Sequence, residues 1–227
     1  MSELFPIQLQ NRQQQGGDGV WLDLPTTTEQ VQAALRQIGI SSDNPQGLFI
    51  SGYFAEEEKR FAIPYNIVLA SNVDELNFLA SRLETLSTGE RAELNAALQV
   101  PQSELSSIGR ITDFPENVDY YVHLPDVRGP AQLGDYYLNR SGMVDMPEEW
   151  KGGIDTAQFG RYVAHQEQGA FTQYGYLVKS GDAWQKVHEG QPVPEEYRVL
   201  SFPAPEVLRD SANIPPPVQP ETEPQKV

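Results

Sequence analysis

Two capping boxes lie back to back in the middle of the chain, and they constrain its fold more than any other feature. Asn72-x-x-Glu75 and Ser87-x-x-Glu90 each place a side-chain acceptor three residues before a glutamate that can reach back to the cap amide. Behind the first, Leu76, Leu79, Leu83 and Leu86 recur at helical spacing. Behind the second come Leu94, Ala97 and Leu98, stopped before Pro101. Helices joined by so short a connection must pack as an antiparallel pair. A third helical turn runs through Leu105 and Ile108, so residues 71–112 read as a helical middle segment.

The flanks read differently. Residues 1–17 end in a polar, glycine-rich run and are expected to be mobile; Val20–Leu24 is a short strand closed by Pro25. Thr26-x-x-Glu29 is a capping box for a helix carrying Val31, Ala34, Leu35 and Ile38, ended at Gly39. Leu48–Phe54 and Arg60–Ala70 read as strands on either side of Glu56-Glu57-Glu58, giving an N-terminal α+β module over 18–70. Residues 113–190 mix types again. Tyr120–Leu124 reads as a strand, Ala131–Asn139 as a helix, Pro147–Lys151 as a helical turn, and Asp155 as the cap of a helix through Phe159 and Val163. A hairpin of Ala170–Lys179 with Ala183–His188 is expected across Ser180-Gly181-Asp182. Nine of the eighteen prolines fall in residues 191–227, which read as a disordered, extended tail. The fold class is therefore α+β, an elongated chain of three small modules plus that tail.

Little here looks like a reaction centre. There is no cysteine, which excludes disulfides and thiolate metal sites. His123, His165 and His188 fall in separate elements, with no metal-ligand spacing, and no metal or cofactor is expected. Gly17-Asp18-Gly19 precedes a strand, whereas a dinucleotide loop follows one. The chain has neither a nucleophile elbow nor a phosphate-loop lysine. Glu148 and Glu149 could serve acid–base chemistry, but their place at a helix N-terminus is explained by the helix dipole. The first residues lack the basic and apolar regions of a secretory signal, and no apolar run reaches membrane-spanning length, so a cytoplasmic protein is expected.

Charge is the informative quantity. Thirty-two Asp and Glu against sixteen Lys and Arg leave a formal net charge of −16. Such a surplus repels nucleic acid and anionic membranes and favours a basic partner surface. It is uneven. Residues 113–149 hold Asp113, Glu116, Asp119, Asp126, Asp135, Asp145, Glu148 and Glu149 against Arg128 and Arg140 alone, interleaved with aromatic residues. On the helical segment, Asp74, Glu75, Glu84, Glu90 and Glu93 add to the candidate partner-binding surface. Helical carboxylates three or four apart sit roughly 5–6 Å from each other, similar to neighbouring phosphates. Sixteen charges at the line density of a duplex correspond to roughly 27 Å of it.

An ordered set of residues then resembles one family. Leu133, Tyr137, Gly142, Met146-Pro147-Glu148-Glu149, Ile154-Asp155 and Phe159-Gly160-Arg161, followed by Phe171-Thr172 and Gly175-Tyr176, look like the C-terminal half of ArdA-type antirestriction proteins. Gly19-x-Trp21-Leu22-Asp23-Leu24-Pro25 resembles that family's opening, and Asp74–Ala80 with Glu93-x-x-x-Ala97-Leu98 its helical middle. The likeness covers about residues 18–180. Trp150 and Tyr162 depart from the family pattern, and the segment beyond 190 is an addition.

The resemblance implies an elongated homodimer, encoded on a mobile element, that imitates bent B-form DNA and occupies the DNA groove of a type I restriction–modification enzyme. It implies no turnover and no direct binding of nucleic acid or membrane, and it puts the dimer seam near Leu133–Trp150. The alternative is a non-catalytic interaction protein of a mobile element that binds another partner, partly through the Pro-rich tail.

Overall fold

The computed structural model describes residues 5–14, 17–54, 61–101 and 103–205. The fold is α+β. Its first sheet is antiparallel in the order β2-β1-β3, built from β1 (Phe5–Asn11), β2 (Val20–Leu24) and β3 (Leu48–Tyr53), with α1 (Thr28–Gln37) between β2 and β3. Within the segment expected to be mobile, Phe5–Asn11 is thus the central strand. Phe5, Ile7 and Leu9 alternate with half-exposed residues, and all three are fully buried, the period-2 pattern of a strand with one face on a core. Pro6 sits near the strand's start, where its missing amide costs little; its carbonyl accepts from Phe54 N at 3.1 Å.

Four further readings are corrected. The cap of α1 is Thr27 with Gln30, one residue later than expected, because the Thr26 amide is taken by Asn77 Oδ1 at 2.7 Å. Within the run read as a strand over 60–70, Tyr65–Ala70 is α2, started by Pro64; a short, mostly apolar run has no period to tell the two apart. The helix expected over 131–139 is α6 (Pro130–Asp135), which widens into a π turn over Tyr136–Arg140. The second hairpin turns at Gln173-Tyr174 and joins β5 (Ala170–Thr172) to β6 (Gly175–Lys179); residues 183–188 form no strand.

The middle of the chain follows its caps. Capping boxes at Asn72/Glu75 and Ser87/Glu90 start α3 (Val73–Glu84) and α4 (Thr88–Gln99), and Ser107 caps the short α5 (Ile108–Thr112). Leu76, Leu79, Leu83, Leu86 and Leu94 are buried. They share one continuous core with Phe5, Leu24 and Leu35 from the first sheet and α1, and with Tyr120, Tyr121 and Leu177 beyond α5. Tyr120 precedes and Tyr121 opens β4 (Tyr121–Leu124), which pairs with β6, the strand of Leu177, in a second antiparallel sheet of order β4-β6-β5.

A smaller cluster of Val127, Leu133, Ala164 and Tyr176 lies where α6 crosses α8 (Thr156–Glu167). The crossing is close enough to be backbone on backbone. A Cβ on Gly160 would collide with the Pro130 carbonyl, and one on Gly134 with that of Thr156. Only glycine allows that approach. Between the two helices, α7 (Glu148–Lys151) is a single exposed turn.

The tail read as unpacked from residue 191 is docked as far as Pro203. Val199 is buried, and Trp184, Leu200 and Phe202 pack on the main core. The remaining part of that tail, 206–227, lies outside the described residues, as does the acidic run Glu56-Glu57-Glu58.

Candidate functional site: the carboxylate surface

The candidate carboxylates divide into three groups by what they touch. Asp74, Asp113 and Glu116 hold the chain together. Asp74 Oδ1 accepts from Val199 N and Leu200 N, both at 2.7 Å. Asp113 is fully buried and accepts from His188 N at 2.6 Å and Glu189 N at 3.3 Å. Glu116 pairs with Arg82. A carboxylate engaged by the chain's own amides or by a guanidinium has less to offer a partner.

Glu75 and Glu90 are intermediate. Each spends one oxygen on its own cap amide, Asn72 N at 2.9 Å and Ser87 N at 2.6 Å. Hydrogen bonding from the Ser87 side chain first, and then from its amide, holds the Glu90 carboxyl below the usual carboxylate range. Asp135 is ion-paired with Arg140 at 3.1 Å, and Glu148 with Lys151 at 2.6 Å. These surface pairs are weak, of order 0–1 kcal/mol.

The third group is exposed and, among the described residues, in no ion pair: Glu84, Asp119, Asp126, Asp145 and Glu149. Asp119 comes near Glu93 on α4, and Glu93 is exceptional. Its Oε1 is buried without a hydrogen-bond partner. Burial first, then the nearby charges of Glu90 and Asp119, push its carboxyl up to about 8. At neutral pH Glu93 is therefore largely protonated and adds little negative charge.

Sequence reasoning missed two other carboxylates. Glu104 joins Lys179 at 3.2 Å and Arg110 at 2.6 Å, and Arg110 continues to Glu189 at 2.8 Å. Glu167 accepts from the hydroxyls of Tyr137 and Tyr176, the latter at 2.9 Å. Burial, reinforced by that acceptor, raises both phenols well above their ordinary range. Neither glutamate has a local motif to betray it, since its partners lie 6 to 75 residues away along the chain.

The motif residues of the C-terminal half act mostly on the fold. Leu133 is fully buried and Tyr137 holds Glu167. Gly142 adopts φ +70, and Pro147 precedes α7. Asp155 caps α8, accepting from Ala157 N at 2.9 Å and Gln158 N at 3.0 Å. Phe159 is half-buried, Gly160 makes the close crossing, and Arg161 points to solvent. Around them Met143, Trp150 and Tyr162 are 75%, 67% and 62% exposed, large apolar surfaces with nothing over them.

The family model described as antirestriction protein (ArdA) matches residues 17–178, most of the chain. The chain belongs to the ArdA antirestriction family. No curated protein matches it significantly. The matched span begins after β1, takes in β2, β3, the second sheet, the capped helices and the α6–α8 crossing, and stops in β6, short of the docked segment 182–205. Among the described residues no cluster of His, Asp and Glu could hold a metal ion, and no helix is long and apolar enough to cross a membrane.

Proposed function

We propose that this ArdA-family chain is a homodimeric DNA mimic that blocks a type I restriction–modification enzyme by occupying its DNA groove, without turnover and in the cytoplasm. The observation that carries the reading is the −16 surplus, with Glu84, Asp119, Asp126, Asp145 and Glu149 exposed and in no ion pair among the described residues. Carboxylates in that state act as phosphate surrogates, because the arginine and lysine side chains lining a DNA groove recognise both groups by charge-assisted hydrogen bonds. Asp74, Asp113 and Glu116 are assigned to the scaffold instead, and Glu93 to a minor role at neutral pH.

The exposed Met143, Trp150 and Tyr162 support a seam between two copies in the 133–162 region. A dimer doubles the length of charge presented. Mobile elements that enter a new host as unmodified DNA need such an inhibitor early.

The test is a variant with Glu84→Gln, Asp119→Asn, Asp126→Asn, Asp145→Asn and Glu149→Gln, assayed against a type I enzyme cleaving unmodified DNA. Inhibition should fall by at least about 100-fold, roughly half a kcal/mol for each lost charge. Full inhibition by a folded variant would contradict the assignment of those residues.

A further inference from the structure

We infer that residues 182–205, beyond the family-matched span, form an intramolecular clamp that fixes the second sheet against α3 and α1. The segment leaves the end of β6, crosses α5 and α3, and finishes beside α1, and each stage is hydrogen-bonded to the body. Near its start, Gln185 exchanges two hydrogen bonds with the Asn117 side chain, at 2.7 and 2.9 Å, while Trp184 packs edge-on against Tyr120. Next, the amides of His188 and Glu189 fall on Asp113, and the His188 ring meets Phe78 of α3 edge to face. Then the carbonyl of Tyr197 accepts from Asn77 at 3.0 Å, and the amides of Val199 and Leu200 donate to Asp74. Finally Ser201 meets Gln32 of α1 at 3.2 Å, and the carbonyl of Pro203 accepts from Ser42 N at 2.9 Å.

The decisive observation lies on the body side of these contacts. Asp113, Asn117 and Asn77 are 0%, 4% and 3% exposed. Buried polar side chains persist only when satisfied, and theirs are satisfied largely by backbone groups of the clamp. Asn77 does double service, since its Oδ1 also accepts the Thr26 amide at the β2–α1 junction. One side chain of α3 thereby ties the first sheet's exit to the clamp. Three linked ion pairs add to the fastening: Glu189 on the clamp meets Arg110 of α5, Arg110 meets Glu104, and Glu104 meets Lys179 at the end of β6. The body is built to receive this segment and is left with orphaned buried groups without it.

The inference does not depend on the inhibitory role proposed above, and its test reads geometry rather than inhibition. The chain has no cysteine, so Ala33→Cys on α1 and Gln166→Cys on α8, both exposed, can carry spin labels in protein diluted with unlabelled chains. The full chain and a chain ending at Pro205 should give the same narrow distance distribution and the same melting temperature. A chain ending at Gly181 should give a broad distribution and melt more than about 10 °C lower, the scale expected when several buried hydrogen bonds are lost. Should that chain fail to fold, Asp74→Ala in the full chain decides: fast amide exchange at Val199 and Leu200 with a broadened distribution is the expected result. A narrow, unshifted distribution in the chain ending at Gly181, or in Asp74→Ala if only that variant folds, would overturn the clamp.

Discussion

At the scale of single residues, Glu93 and Gly160 carry the sharpest consequences. The Glu93 carboxyl is raised from 4.5 to about 8 by burial and by Glu90 and Asp119. The sign follows from which form the fold prefers. Folding favours the protonated acid, so its contribution to stability is complete below about pH 4.5 and is lost as pH rises through about 8. Glu93→Gln keeps the neutral shape and cannot ionise. Thermal melts should therefore show parent and variant alike at pH 5, with the variant more stable at pH 9 by about 1 kcal/mol, or roughly 2–4 °C. A variant less stable than the parent at pH 9 would mean that Glu93 is ionised and paired in the fold. Gly160→Ala drives a methyl into the Pro130 carbonyl. It should cost about 3 kcal/mol or more, visible as a lower denaturant midpoint. Neither effect could be read from the sequence, where Glu93 is one more helical acid and Gly160 one more glycine. Both depend on what tertiary packing brings alongside.

At the scale of elements, legibility followed the range of the interactions. Helices α3 and α4 were readable to their caps because a capping box is local: Asn72 with Glu75 and Ser87 with Glu90 decide the start within four residues. The Asp155 cap of α8 was equally plain, and Asp155→Ala should cost about 1 kcal/mol by thermal melting. A much smaller loss would mean that the crossing with α6 alone sets that helix's start. Elements defined by distant partners were missed. β1 alternates correctly, yet the polar, glycine-rich run behind it made the whole segment read as a mobile leader. Residues 191–205 read as part of a proline-rich tail because their hydrogen bonds go to partners up to 169 residues away. On α7 and α8, the aromatic residues that depart from the family pattern turned out to be exposed. Under the proposed seam, Trp150→Ala should weaken self-association about tenfold or more by sedimentation, as for an interface anchor. An unchanged dimer constant would move the seam elsewhere.

At the scale of the whole molecule, the candidate surface was legible as a quantity and not as an arrangement. Composition gave the surplus of carboxylates, but it did not say that Asp74 and Asp113 are spent on the chain's own backbone, that Glu116 is spent on Arg82, or that Glu93 is largely neutral. What remains for a partner is a smaller set of exposed, unpaired acids spread from α3 to α7. Binding through such groups is long-ranged, steered and screened by salt. The affinity of the full chain for a type I methyltransferase core, measured from about 50 to 300 mM salt, tests this most directly. Mimicry predicts a dissociation constant that rises by at least about tenfold across that range, with duplex DNA displaced in parallel. An affinity that stays constant with salt, or binding that leaves the DNA in place, would contradict it.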